Sequence, residues 1–313
     1  MNSKRANWLY MTIILVDLAV IALLTLAYYY SKGTVDIGIV LNLVISQLML
    51  IVPTLIFALC SKSDLNEMLG YHKMKISSAL MVVLYTFLCM PLMTAINAIS
   101  MLFVDNAVNS ISGEVLQIPF PIMLFLMGMF GPFCEEFVFR GMIFRGYKKS
   151  GSVFWSVILS SLLFGLMHMN FNQAAYAFAI GIMFALLVEA TGSLWGSTIA
   201  HMVVNMEQVC LMFLVEKLEP GTYTSGQVDD MLTQDMLIMA IGPYLLVAIV
   251  CTALAICVLA WIAKNEDRAE HLGSIWAKRK EKKERMITIP LIIGIVLGVG
   301  YMIFELVWTA IFY

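Results

Sequence analysis

The sequence predicts an all-α fold, a polytopic membrane helix bundle of about eight or nine transmembrane helices. Three observations predict it. Of 313 residues, 61% are hydrophobic and only 13% are charged, against about 25% charge in a soluble domain. Apolar runs long enough to cross a bilayer, which takes about 20 residues, recur along the whole chain. These runs lack the alternation of strands, and only helices or closed barrels satisfy their backbone in lipid. The 24 methionines suit adaptable helix packing and imply no cofactor.

The first run, 8–30, could pass for a signal peptide. Its apolar core is too long and no small-x-small cleavage site follows, so it reads as a retained span. Runs at 37–60 and 77–104 complete a group of N-terminal helices over 1–118. Runs at 119–144, 153–171, 173–190 and 195–216 form a central helix core over 119–216. Runs at 236–263 and 287–312, joined by a basic loop, make a C-terminal group over 217–313. In the last run "GIVLG", Gly294 to Gly298, is a GxxxG pattern that predicts close helix contact.

Charge gives an orientation. With the N-terminus in the cytoplasm, every one of the 19 Lys and Arg residues except Lys32 and Lys217 falls on an inner segment. Those inner cations include Lys4, Arg5, Lys62, Lys73, Lys75, Arg145, Lys148 and Lys149, and the run from Lys264 to Arg285. Such asymmetry is the positive-inside rule. The run "KRKEKKER" at 278–285 reads as a cytoplasmic loop against anionic headgroups of the lipid bilayer, not as a nucleic-acid site. Cys60, Cys89, Cys134, Cys210, Cys251 and Cys257 lie in or beside apolar runs without a CxxC pair. They predict core thiols rather than disulfides or metal ligands.

Ionisable groups inside the spans are then the informative set, because each is expensive in lipid. Asp17 and Glu305 stand alone in terminal spans, to be paired by another helix or protonated. Glu189 lies near an inner helix end and could snorkel. Glu207 lies off the face of His201 and reads as structural. The remainder form a pattern. In "FGPFCEEFVFRG" Glu136 and Arg140 are four apart, the spacing at which helical side chains meet. Arg140 can neutralise Glu136 through two nitrogens. Glu135, about 100° further round the helix, is left as an available carboxylate. Phe164 and His168 are again four apart, as are His201 and Asn205.

Chain geometry supports a joint site for Glu135 and His168. The two spans turn near "KKSGS" at 148–152, and both residues climb to roughly 20–25 Å from that turn at about 1.5 Å per residue. His201 follows its own turn, "TGSLW", by too few residues to match. The gap closes only if the first hairpin protrudes into the cytoplasm or its outer corner is sunk.

Glu135-Glu136-x-x-x-Arg140, Phe164-x-x-x-His168 and His201-x-x-x-Asn205, in this order and each in a predicted span, resemble the CPBP family of intramembrane proteases. That family takes in the type II CAAX prenyl endopeptidases and the bacterial bacteriocin-processing and self-immunity proteins called Abi. The resemblance covers roughly 119–210, where "SLLFGLMHMNFNQAAYAFAIG" and "EATGSLWGSTIAHMVVN" look like bacterial members. It implies an integral protein of a bacterial plasma membrane. It implies an endopeptidase acting on a membrane-associated peptide or protein. Glu135 would be the general base on a water, and His168 would hold and polarise that water. His201 and Asn205 would stabilise the oxyanion, while Glu136, Arg140 and Phe164 would support the site. A desolvated carboxylate makes a useful base, and imidazole and amide donors suit a developing negative charge.

The family is also labelled metalloprotease. Glu135, His168 and His201 could hold zinc or another divalent metal, with water as fourth ligand. HExxH, GxSxG and GxGD are all absent from the sequence, so no standard zinc, serine or aspartyl spacing applies. The favoured reading needs no obligatory metal or other cofactor. Two other classes compete: a catalytically idle binding or immunity scaffold, and a proton-coupled transporter, since intramembrane Glu and His also build proton relays. No internal repeat of the transporter kind is visible.

Overall fold

The computed structural model describes residues 2–34, 37–60, 70–224, 233–281 and 285–312. Lys62, Lys282 and Lys283, three of the predicted inner cations, lie outside them. Among the described residues every regular element is helical, and there are no strands. In chain order they form α1 (Ser3–Tyr30), α2 (Gly38–Cys60), α3 (Ile76–Ser100) and the short α4 (Ala107–Leu116). Then come α5 (Phe120–Lys149), α6 (Val153–Met167), α7 (Phe171–Thr191) and α8 (Leu194–Leu218). The chain closes with α9 (Gln234–Asn265), the short α10 (Ala269–Ala277) and α11 (Ile289–Phe312).

Among the described residues eight helices are long and apolar enough to cross a membrane, and α6 is a shorter apolar helix. The ninth predicted span is therefore α6, with only 15 residues. At about 1.5 Å per residue it falls short of a hydrocarbon core of about 30 Å. Ser152 starts it by accepting from Trp155 N–H, and His168 closes it as C-cap. Met169, at φ 53°, turns the chain, and Asn170 caps α7 by accepting from Gln173 N–H at 3.1 Å. This corner is sunk in the bundle. Met169 is 8% exposed and lies beside Gly298 in the middle of α11. His168 is thus a residue of a buried corner, not of the span interior predicted for it.

The basic segments come together at one end. Ser3 bonds the carbonyl of Arg285, and Asn7 bonds that of Met286 at 2.8 Å. Tyr147 donates to Asn7 at 2.6 Å. Lys75 reaches Asn265 and Asp267, and Ser193 donates to the His72 carbonyl at 2.5 Å. Glu189 belongs to the same end and does not snorkel. Its side chain is fully buried and held by Lys148 and by His271 at 2.6 Å. Its partners come from segments 41 and 82 residues away.

Close packing uses small residues where predicted. A Cβ on Gly294 would sit 3.2 Å from Met11 Cα, so α11 and α1 touch there. The cysteines are all free, but only Cys89 and Cys134 are buried, and Cys60, Cys210 and Cys257 lie on outward helix faces. Among the described residues Asp17, Glu207 and Glu305 form no ion pair. Glu207 accepts from its neighbour Gln208.

Candidate active site

Glu135 and Glu136 sit on a short α-helical stretch, Gly131–Glu136, inside α5. π-helical turns flank it, at Leu126–Phe130 and Phe137–Phe144. A cause is visible in the first of them. Gly131 N–H reaches back five residues to the Leu126 carbonyl. In that register the next donor would serve Met127, but it belongs to Pro132, which has no N–H. The Met127 carbonyl is taken instead by Asn205 Nδ2 at 3.1 Å. Gly128 lets the two helices come this close, since a Cβ there would meet Met206 of α8 at 2.8 Å. The second π stretch spends more residues per turn, so α5 climbs less between its inner end and Glu136. Glu136 and His201 meet at one level, and the sunk corner keeps His168 close to them through Phe164.

Glu136 is the junction of the site. It is fully buried, and its Oε1 accepts from Arg140 Nη1 at 2.8 Å. The same oxygen lies 3.0 Å from His201 Nδ1. The two-nitrogen grip expected of Arg140 is not made. Its Nη2 goes to the Gly181 carbonyl at 3.3 Å, and its guanidinium lies 4.1 Å over the Phe164 ring. Gly181 draws Arg140 aside because α7 packs against α6 there with no side chain between.

With Nδ1–H donated to Glu136, His201 keeps Nε2 as its second nitrogen. That atom lies 3.8 Å from Glu135 Oε2. The Glu135 side chain is 14% exposed, and that of Glu136 has no exposure. His168 Nδ1 donates to the Phe164 carbonyl at 2.9 Å, which leaves its Nε2 uncommitted. The Phe164 ring stands between the two imidazoles, 5.2 Å from His168 and 5.7 Å from His201, edge-on to both. Phe184 lies 4.8 Å from His201 on its other side.

Six of the seven predicted site residues are thus linked by contact through α5, the α6 corner and α8, while Asn205, one helical turn on from His201, bonds the Met127 carbonyl. Two features went unforeseen, the bond between Glu136 and His201, 65 residues apart, and the packing of Tyr71 against Phe133, two residues before Glu135. Tyr71 packs between Phe133 at 6.0 Å and Trp195 at 4.6 Å. Burial there pushes its phenol up to about 12. Tyr71 had no signal in the sequence, because it is an aromatic residue in a polar connecting segment.

Among the described residues no three His, Cys, Asp or Glu side chains are grouped so as to hold a metal ion. Both imidazoles commit Nδ1 within the protein.

Residues 117–206 match the family model described as "Type II CAAX prenyl endopeptidase Rce1-like". The chain is 29% identical over 100 residues to a Bacillus subtilis (strain 168) protein named "Putative membrane peptidase YdiL", covering 32% of this chain and 39% of that one. It is 34% identical over 91 residues to "Membrane-embedded CAAX protease MroQ" of Staphylococcus aureus (strain USA300), covering 27% of this chain and 37% of that one. The matched region thus spans under half the length of these relatives. No solved structure matches the chain. The stretch that carries Glu135, Glu136, Arg140, Phe164, His168, His201 and Asn205 is the one that matches the Rce1-like model of type II CAAX prenyl endopeptidases.

Proposed function

We propose that the protein is an intramembrane endopeptidase that hydrolyses a peptide bond of a membrane-associated peptide or protein, using a water activated by Glu135. The observation that carries this is the 3.8 Å approach of Glu135 Oε2 to His201 Nε2, with His201 anchored on the buried Glu136. A water at the apex of that pair can bond to both. Glu135 takes its proton as oxygen adds to the carbonyl carbon, and passes it to the leaving amine nitrogen as the C–N bond breaks. His168 Nε2 helps to hold and polarise the water. Asn205 and His201 supply the donors for the oxyanion. Glu136, which Arg140 holds in place, fixes the orientation of His201. The protein is read as residing in a bacterial plasma membrane with its basic end in the cytoplasm.

Exchange of Glu135 tests the proposal. In reconstituted vesicles Glu135→Ala should lower peptide cleavage by about a hundredfold or more, the scale of general-base catalysis, with unchanged insertion and melting. Equal cleavage by wild type and variant would overturn the role of Glu135. A wild type that cleaves no membrane peptide, in a proteomic comparison with the variant, would favour an idle scaffold. Metal analysis belongs to the same experiment, and full activity after chelation, with no bound zinc, is expected.

A further inference from the structure

The face of α2 turned to α5 runs Ile39, Leu43, Gln47 and Leu50, at the spacing of a helical stripe. Its three apolar members are absorbed in packing. Ile39 and Leu43 share a cluster with Met123, Leu124 and Met127 of α5, and Leu50 belongs to the main core. Leu41, Leu48, Val52 and Ile56, on the other side of α2, are exposed. Gln47 is the exception within the stripe. Its amide lies over Gly131 of α5, where a Cβ would be 3.7 Å from Nε2 and 3.9 Å from Cδ. Ser46 fixes which way the amide points. The Ser46 hydroxyl donates to the Leu43 carbonyl at 2.8 Å, so its oxygen is free to accept from Gln47 Nε2 at 3.3 Å. Gln47 Oε1 is left over. It is buried, and among the described residues nothing donates to it.

A buried polar atom without a partner is costly inside a membrane bundle, and such groups mark functional sites. Its place against α5 says what would meet it. Gly131 and Glu135 are four residues apart in the α-helical stretch Gly131–Glu136, so they share a face about 6 Å apart along the axis. Gln47 thus stands one helical turn from Glu135, on its N-terminal side. An extended peptide advances about 3.3 Å per residue, so one turn spans about two residues of a bound chain. We propose that Gln47 is a substrate-binding residue whose Oε1 accepts a backbone N–H of the peptide, about two residues from the scissile bond. The assignment rests on Glu135 as the base. A contact to the main chain sets the register of the peptide over Glu135 and carries no preference for its side chains.

The test uses a fluorogenic peptide copied from a site that the wild type cuts and Glu135→Ala spares. Each backbone N–H except that of the scissile bond is replaced in turn by an ester oxygen, which cannot donate. One ester, about two residues from the scissile bond, should lower kcat/KM of the wild type about tenfold, mainly through KM. Gln47→Met, close to glutamine in volume, should show a similar loss on the all-amide peptide and no further loss with that ester. Its melting temperature in detergent should be unchanged or higher, because an unpaired buried oxygen has been removed. Ester effects of the same size in wild type and Gln47→Met at every position would overturn the proposal and leave Glu135 as the base. A Gln47→Met protein that melts lower yet keeps the wild-type KM would overturn it too, by assigning the oxygen to a structural water. If Gln47→Met does not fold, the ester scan on the wild type decides, and no sensitive N–H within three residues of the cut would overturn the assignment. A wild type that cuts no peptide would sink both Glu135 as the base and the role of Gln47.

Discussion

At the scale of the residue the site turns on one oxygen. Glu136 Oε1 accepts from both Arg140 and His201, so it fixes the charge of one neighbour and the tautomer of the other. Removing Arg140 would leave a carboxylate buried in the bundle with its main counter-charge gone. Arg140→Ala should therefore cost about 3–5 kcal/mol of stability, the range for breaking a buried pair. It should appear as a lowered melting temperature and poor membrane yield. Arg140→Ala thus fails by unfolding, and Glu135→Ala by loss of turnover. The pair itself was legible, because residues four apart on a helix must be neighbours. The bond from Glu136 to His201 was not. It depends on how α5 and α8 are set in height, and no local spacing carries that. Glu189 shows the same limit, since Lys148 and His271 lie far from it in sequence.

At the scale of the element, hydropathy and chain length made the helices readable, since lipid imposes both. It did not reveal the π turns of α5, which arise from a missing proline donor and from contacts with α8. Nor did it reveal the early end of α6, where Asn170 outcompetes helix continuation by capping α7. The α6–α7 hairpin is held by glycine contacts. A Cβ on Gly165 would meet the Ala174 carbonyl oxygen at 2.7 Å, and one on Gly181 would meet Ser161 Cβ at 2.9 Å. Both obstacles are on packed helices that cannot step aside. Gly165→Val should destabilise by about 1–3 kcal/mol through overpacking and should displace His168 from Phe164. Gly242→Ala, where nothing lies within 4 Å, should instead gain up to about 1 kcal/mol from helix propensity. Thermal unfolding of the two variants in the same detergent compares them directly.

At the scale of the whole molecule, the segregation of cations seen in the sequence corresponds to a physical end of the bundle. Cysteine labelling tests which side that end faces. With reactive native cysteines replaced, Lys32→Cys should react with a membrane-impermeant maleimide on intact cells. Lys278→Cys should react only after the cells are opened. The same end holds most of the bonds between distant segments: Ser3 to Arg285, Asn7 to Met286, Tyr147 to Asn7, Asn265 to Ser78, Ser193 to His72 and His271 to Glu189. Toward the other end, among the described residues, the polar ties between long helices are fewer, Asn172 to Asn97 at 2.9 Å and Asn205 to the Met127 carbonyl at 3.1 Å. Stiffness is accordingly graded along the bundle normal. The bundle behaves like a fan riveted at its handle, and its blades part from the far edge. A polypeptide reaching Glu135 sideways from the lipid would meet the more compliant half, while the riveted half holds the carboxylates and imidazoles in register.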